Sequence, residues 1–474
     1  GDWGMSDWKE YTLEELCDFQ NGFAFKNSDY VDSSENTNEV FRMGYINRGG
    51  GFKEDTTPVF VPQNYPKNLD KFILKLNDIT IAMTDMKNSM ALLGCCARIS
   101  HNNRFILNQR VGRIRVVRND ILDPIYLYYY LNSSKQIDYL RANANSGVQV
   151  NLSTDTIKKS ILKIPSIEKQ REIANILFAL DQKIELNTQI NQTLEQIAQA
   201  LFKSWFVDFD PVRAKVQALS DGLSLEQAEL AAMQAISGKT PEELTALSQT
   251  QPDHYAELAE TAKAFPCEMV KVDGGEVPKG WEQTTLSDIC EMQNGYAFKS
   301  SDWMEQGIPV IKIGSVKPMI VEVEGNGFVS EDYSKLKPDF LLKSGDILVG
   351  LTGYVGEVGR IPTGKIAMLN QRVAKFLPKE IDKNHCFYNY IYCLARQSQF
   401  KEFAEMNAKG SAQANISTKE LLKFPIIKAN DELHIFFENR VKELLESILW
   451  NSQNSETLAK TRDLLLPRLL DGSI

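Results

Sequence analysis

Residues Trp8–Tyr30 read WKEYTLEELCDFQNGFAFKNSDY, and residues Trp281–Trp303 read WEQTTLSDICEMQNGYAFKSSDW. Twelve of these 23 positions are identical at an offset of 273. Further anchors follow in the same order. NDITIAMT, ending at Thr84, returns as GDILVGLT, ending at Thr352. LNQRV at Leu107 returns at Leu369, and NLST at Asn151 returns as NIST at Asn415. The offsets drift through 268, 262 and 264, as they do when two homologous domains differ in loop length. Four ordered matches define a duplicated domain.

The duplication continues beyond these anchors. Ile173, Leu177, Leu180, Ile184, Leu194, Leu201 and Trp205 follow a 3–4 apolar spacing. Adding 264 reaches Phe437, Val441, Leu444, Ile448, Leu458, Leu465 and Leu469, all apolar. Each stripe predicts a long helix with one coiled-coil face. Asn187 and Asn451 hold equivalent stripe positions, where a buried Asn selects one register by pairing with its counterpart. Two amphipathic helices on separate cores are the alternative, but two matched stripes in one chain favour packing on each other. The expected order is a globular domain (1–165), a helix (166–210), a helical spacer (211–275), a second globular domain (276–428) and a distal helix (429–474). Within the spacer, Thr240 is expected to cap a helix that starts at Pro241, with Glu243 nearby. The globular domains mix β-rich runs (VGRIRVV, DILVGL, IPVIKI) with helical patches (IYLYYYLNS, FYNYIYCLARQSQF). They read as α/β or α+β without a clean βαβ alternation.

A length of 474 residues allows two to four domains at about 100–200 residues each. With 43% hydrophobic and 24% charged residues, the composition is that of an ordinary globular protein. No run of about 18 apolar residues is present to span a membrane, and the N-terminus lacks a basic-then-apolar secretory signal. The residues ahead of Met5 read as an appendage. Seven scattered cysteines without a CxxC pair, and only four histidines, predict neither disulfides nor zinc and suit a reducing, cytoplasmic setting. The net charge of −9 hides a division: the two globular segments stand at +1 each, 166–275 at −8 and 429–474 at −3.

No GxSxG, HExxH, kinase set or Rossmann fingerprint occurs, nor an Asn/Asp-Pro-Pro-aromatic tetrapeptide of the amino-methyltransferase kind. Gly359–Ile366 approaches a P-loop, but Ile366 cannot supply the magnesium-binding hydroxyl. The basic runs carry more. Arg98–Arg118 holds six arginines and no acid, and Arg360–Lys379 holds five basic residues and no acid. Arg and Lys make the phosphate contacts of DNA-binding proteins, and Arg, Gln and Asn read base edges. A solvated strand face is the alternative for a single run; its duplication favours nucleic acid. The expected contacts are Lys26, Lys87, Arg98, Arg104, Gln109, Arg110 and Arg113 in the first domain. In the second they are Lys299, Tyr354, Arg360, Lys365, Gln371, Arg372 and Lys375. In QNGFAFK and QNGYAFK, Phe25 and Phe298 are expected in the core, with Gly22 and Gly295 in a turn. The loops after Thr84 (DMKNSM) and Thr352 (GYVGEV) differ, as two readers of different sequences require.

Taken together, these residues resemble the specificity (S) subunit of type I restriction–modification systems over essentially the whole chain. The resemblance is carried by QNG(F/Y)AFK, the DI…T and LNQRV segments, IPSIEKQREIANIL and LFKSWFVDFDPV. It implies two target-recognition domains, each reading half of a split, asymmetric double-stranded DNA site. It also implies two conserved helices packed as an antiparallel coiled coil that fixes their separation, with no catalytic activity and no cofactor. The implied partners are two methyltransferase (M) and two restriction (R) subunits, in a phage-defence role. The long spacer 215–266 departs from the pattern, and 426–432 lacks the IPxxEQ start. The 33-residue stripe from Ile173 to Trp205 spans about 50 Å, which allows half-site centres up to ~10–15 base pairs apart. A DNA-independent scaffold and a fused restriction–methylation enzyme are the competing expectations.

Overall fold

The computed structural model describes residues 8–145, 147, 149–410 and 413–473; the residues ahead of Met5 lie outside this set. The chain divides into two compact units, residues 1–184 with 457–474, and residues 185–456. The boundaries fall inside two 40-residue helices, Ile167–Phe206 and Asp431–Leu470, each of which contributes to both units.

In the first unit an antiparallel sheet runs in the order Cys17–Asn21, Val111–Val116, Ile79–Ala82, Cys96–Arg98. The second unit repeats that order with Cys290–Asn294, Val373–Pro378, Ile347–Gly350 and Val358–Arg360, and adds Met319–Ile320 at the edge. The strands Ile79–Ala82 and Ile347–Gly350 are buried at every residue because both faces are covered. Ile79 and Ile81 enter one core, while Ala82 on the opposite pleat enters another. Ile347 and Val349 are divided from Leu348 in the same way. One face meets the Tyr-rich helix Pro124–Leu131 or Tyr388–Ala395; the other meets a smaller sheet. The folding pattern is α+β: antiparallel pairings dominate, with three parallel strand pairs among the described residues.

Within each unit the long helices pack on each other, and the polarity is antiparallel. In the first unit Ile173 and Leu177 of the proximal helix share a core with Leu465 and Leu469 of the distal one. In the second, Ala198, Phe202 and Trp205 share a core with Leu433, Phe437 and Val441. The heptad reading needs correcting along its second half. Leu194, Leu201 and Leu444 are only half-buried; the buried positions are Asn191, Glu195, Ala198 and Phe202 on one helix and Leu445 on the other. Leu180, Ile184, Leu458 and Leu465 are half-buried too. Counting in sevens from Asn187 gives 194 and 201. The buried residues Asn191, Glu195, Ala198, Phe202 and Trp205 instead step by four, three, four and three, a heptad seam whose register is shifted by one extra step of four between Asn187 and Glu195.

The Asn layer also differs from the expected pairing. Asn187 Nδ2 donates to Ser455 Oγ at 3.1 Å, and Asn451 Nδ2 donates to Asn191 Oδ1 at 2.9 Å. Positions 187 and 191 become 451 and 455 on adding 264, so these are one contact repeated. Each Asn side chain pairs with a side chain one helical turn along, and Asn187 Nδ2 also donates to the backbone carbonyl of its counterpart Asn451 at 3.5 Å. The positions involved on each helix, 187 with 191 and 451 with 455, lie about one helical turn apart.

The spacer folds as four helices, Asp210–Ser220, Leu225–Ser237, Pro241–Thr250 and Pro252–Ala264, followed by the hairpin Met269–Val272 and Gly275–Pro278. Thr240 and Glu243 form a reciprocal capping box, at 3.3 and 2.8 Å. Lys215 is buried and donates to the carbonyls of Ala262 (2.9 Å) and Phe265 (2.6 Å), so an ammonium caps the last helix where carbonyls lack partners.

The two units cap their Tyr-rich helices differently. Asp123 caps Pro124–Leu131 locally, its Oδ1 accepting from the amides of Ile125 and Tyr126 at 2.9 Å. Phe387, at the equivalent place, has no capping side chain. Glu438 of the distal long helix does this from outside, accepting from the Asn389 amide at 2.9 Å and the Tyr390 amide at 2.8 Å. Burial pushes the Glu438 carboxyl up to about 7 against the pull of those hydrogen bonds. Nearby, burial and then Lys428 push His434 down to about 3, its ring stacked on Phe206. Between its ordinary value of 4.5 and about 7, folded Glu438 holds a proton that the unfolded chain has lost. Its contribution therefore weakens stability as pH rises through that window. Glu438→Gln should gain on the wild type by about 1–3 kcal/mol between pH 5 and pH 7.5. Denaturant midpoints of both proteins at the two pH values check this; parallel midpoints would refute it.

Candidate nucleic-acid interface

The four repeated motifs meet at one end of the main sheet in each unit. Phe23 donates its amide to Leu107 O (2.9 Å), and Gln109 donates back to Phe23 O (2.8 Å). In the second unit Tyr296 donates to Leu369 O (2.8 Å) and Gln371 to Tyr296 O (3.0 Å). The QNG glycines serve this clamp rather than a turn. A Cβ on Gly22 would sit 1.8 Å from Asn108 O, and one on Gly295 would sit 2.0 Å from Asn370 O. The next strand joins in: Met83 donates to Arg110 O at 2.9 Å and Leu351 to Arg372 O at 3.0 Å. The fourth motif closes the set. Asn151 pairs with Thr84 in a short antiparallel ladder, and Thr352 Oγ1 donates to Asn415 Oδ1 at 2.8 Å. Asn21 Nδ2, from QNG, donates to Thr154 Oγ1 at 3.1 Å. Sequence reading missed the Asn21–Thr154 contact, although both residues lie in repeated motifs.

Each unit thus holds one turn rigidly and turns its Gln–Arg pair outward: Gln109 and Arg110, and Gln371 and Arg372, are exposed. Lys26 and Lys299 are also exposed, each at the start of a short turn whose Asp29 or Asp302 accepts the lysine's own amide. Lys87 and Tyr354 are exposed on the divergent loops. Phe25 is buried as expected, whereas Phe298 is half-buried.

The remaining basic residues are placed otherwise. Arg113 is buried and paired with Asp18, and it donates to Lys71 O at 3.3 Å. Burial, with Arg115 beside it, lowers its affinity for the proton. Arg360 is 1% exposed, its guanidinium 4.3 Å from the Tyr392 ring centre. A guanidinium enclosed in this way cannot reach a phosphate, so Arg113 and Arg360 leave the set of expected contacts. Arg98 is half-buried, donating to Asn77 Oδ1 at 2.8 Å and lying 4.8 Å from the Phe178 ring centre. Arg104 pairs with Glu39 at 3.0 Å. Lys365 bridges Glu324 (2.9 Å) and Glu456 (2.7 Å), and Lys375 lies 3.6 Å from Asp346. The runs lack acids only along the chain; neighbouring strands and loops supply them.

Arginines also secure the divergent loops. Arg141 donates to Leu93 O (3.3 Å) and Ala91 O (3.2 Å), while Arg396 lies 3.5 Å from Glu357 and donates to Glu195 at 3.1 Å. Among the described residues, no group of three His, Cys, Asp or Glu could hold a metal ion, and no helix is long and apolar enough to cross a membrane.

A domain that occurs twice, each copy presenting an exposed Gln–Arg turn held by backbone hydrogen bonds beside a loop that differs between the copies, defines a duplicated-domain protein. The model of the type I restriction modification DNA specificity domain matches residues 5–196 and 278–428. The chain is 39% identical to the type I restriction enzyme HindI specificity subunit of Haemophilus influenzae, over 99% of this chain and 100% of that one. It is 25% identical to the MjaIX specificity subunit of Methanocaldococcus jannaschii, covering 81% of this chain and 80% of that protein. A crystal structure of the type I restriction–modification S subunit from M. genitalium shares the fold, with a TM-score of 0.51 at 17% identity and coverage of 98% and 96%. The chain belongs to the type I restriction–modification DNA specificity family.

Proposed function

We propose that this chain is the non-catalytic specificity subunit of a type I restriction–modification complex. Residues 1–165 and 276–428 act as target-recognition domains that read the two halves of a split double-stranded DNA site. The long helices space them and dock two methyltransferase and two restriction subunits. The observation that carries this reading is the convergence of four repeated motifs on one clamped Gln–Arg turn in each domain. Gln and Arg are readers of base edges, and a turn held by the backbone presents them without a large ordering cost on binding. The near-neutral charge of the two domains, against the acidic spacer and helices, leaves the recognition surface free of a strong repulsive field.

The test is the methylation pattern of a host that expresses this chain with its methyltransferase subunit. A two-part motif with a fixed gap is the expected result, and methylation without a two-part preference would reject the reading. Arg110→Ala and Arg372→Ala should each weaken binding by about 1–3 kcal/mol and relax one half-site only, if they meet bases. A uniform loss across sequences, with a salt slope lower by about one, would reassign them to phosphate.

A further inference from the structure

The loops that follow Thr84 and Thr352 share almost no sequence, yet they agree in one respect. Position 86 becomes 354 at the local offset of 268, and both positions carry a large side chain turned to solvent. Met86 is 58% exposed and Tyr354 is 68% exposed. One such residue is ordinary on a protein surface. Two at the same place in a duplicated domain, beside the Gln–Arg turn in each, call for a common reason.

The backbone around each residue is hydrogen-bonded. Met86 ends a strand paired to Gln149–Asn151. Its amide donates to Asp85 Oδ1 at 2.7 Å, and the other oxygen of Asp85 accepts from Leu92 at 2.7 Å. In the second unit Gly353 donates to Ala414 O and Gly356 to Gly350 O, both at 3.0 Å. Each side chain follows by three residues the amide that holds the backbone of Arg110 or Arg372 (that of Met83 or Leu351). Each side chain is therefore exposed on the segment that follows directly from the strand end bonded to the polar pair.

We propose that Met86 and Tyr354 are specificity-determining residues, each making an apolar contact with a thymine methyl group in the half-site of its own domain. This rests on the DNA-reading function proposed above. The major groove presents one apolar feature, the thymine C5-methyl, among its donors and acceptors. A thioether and an aromatic face both suit it, and the change of side chain between the copies fits different half-sites.

Deoxyuridine removes that methyl and nothing else. The chain assembled with its methyltransferase subunit would be tested on duplexes carrying the wild-type motif, with thymines replaced singly by deoxyuridine. One position in each half-site should lose about 10-fold in methylation rate. Met86→Ala should lose the same factor on thymine DNA and become indifferent to the replacement in its half-site alone; Tyr354→Ala should do so in the other. Met86→Leu and Tyr354→Phe should retain the discrimination. A half-site without thymine, indifference of the wild-type complex to deoxyuridine, or alanine variants that still discriminate would each overturn the proposal. A uniform loss over all duplexes would also overturn it, by assigning these residues a structural role. Absence of any two-part motif in the wild-type complex would instead remove the DNA-reading function itself.

Discussion

Replacing Gly22 or Gly295 with alanine should disable one recognition domain and leave the other working. The added methyl would stand 1.8 Å from Asn108 O or 2.0 Å from Asn370 O, and in both cases the obstacle is backbone. A flexible side chain would swing aside; this carbonyl belongs to the turn that carries the Gln–Arg pair. Overpacking costs about 1–3 kcal/mol where neighbours are able to yield, and a fixed backbone places these variants at or above the top of that range. Gly314→Ala is the matched control, since nothing lies within 4 Å of its Cβ position. Denaturant unfolding measures the loss, and the methylated motif shows which half-site has relaxed. Wild-type stability and preference in Gly295→Ala would mean that the QNG segment does not clamp the turn.

Lengthening both long helices should widen the gap of the recognised DNA site without altering either half. The unit boundaries fall between residues 184 and 185 and between residues 456 and 457. Seven residues inserted at both places add nearly two turns and return the buried face to within about 20° of its phase. Each globular domain, and the Asn layer of the second unit, keeps its own contacts. The added rise is about 10 Å, or roughly three base pairs. Three base pairs turn one half-site by roughly 100° about the duplex, so affinity should fall as the preferred gap grows. A library of gap lengths read by methylation measures both effects. An unchanged optimum in a folded, active variant would refute the spacing role of the helices.

Much of this protein was legible in the chain. The duplication, the two long helices and the Thr240 cap follow from self-comparison and local periodicity, because a repeat and a helix both write themselves along one dimension. Tertiary structure decided the rest. Arg113 and Arg115 lie in a run without acids, yet Asp18 and Asp78 reach them across strand neighbours 95 and 37 residues away. Arg360 looked like part of a basic surface and is enclosed beside Tyr392. Glu438 caps a helix by accepting from the Asn389 amide 49 residues earlier, at a place where the local sequence has no capping group. Leu194 and Leu201 satisfied a heptad count, but an extra step of four between Asn187 and Glu195 shifts the seam by one position and buries Glu195 and Phe202 instead. The physical reason is the same throughout. Periodicity is a property of one segment, whereas burial, charge pairing and close backbone approach belong to pairs of segments, whose register exists only once the sheets and helices have packed.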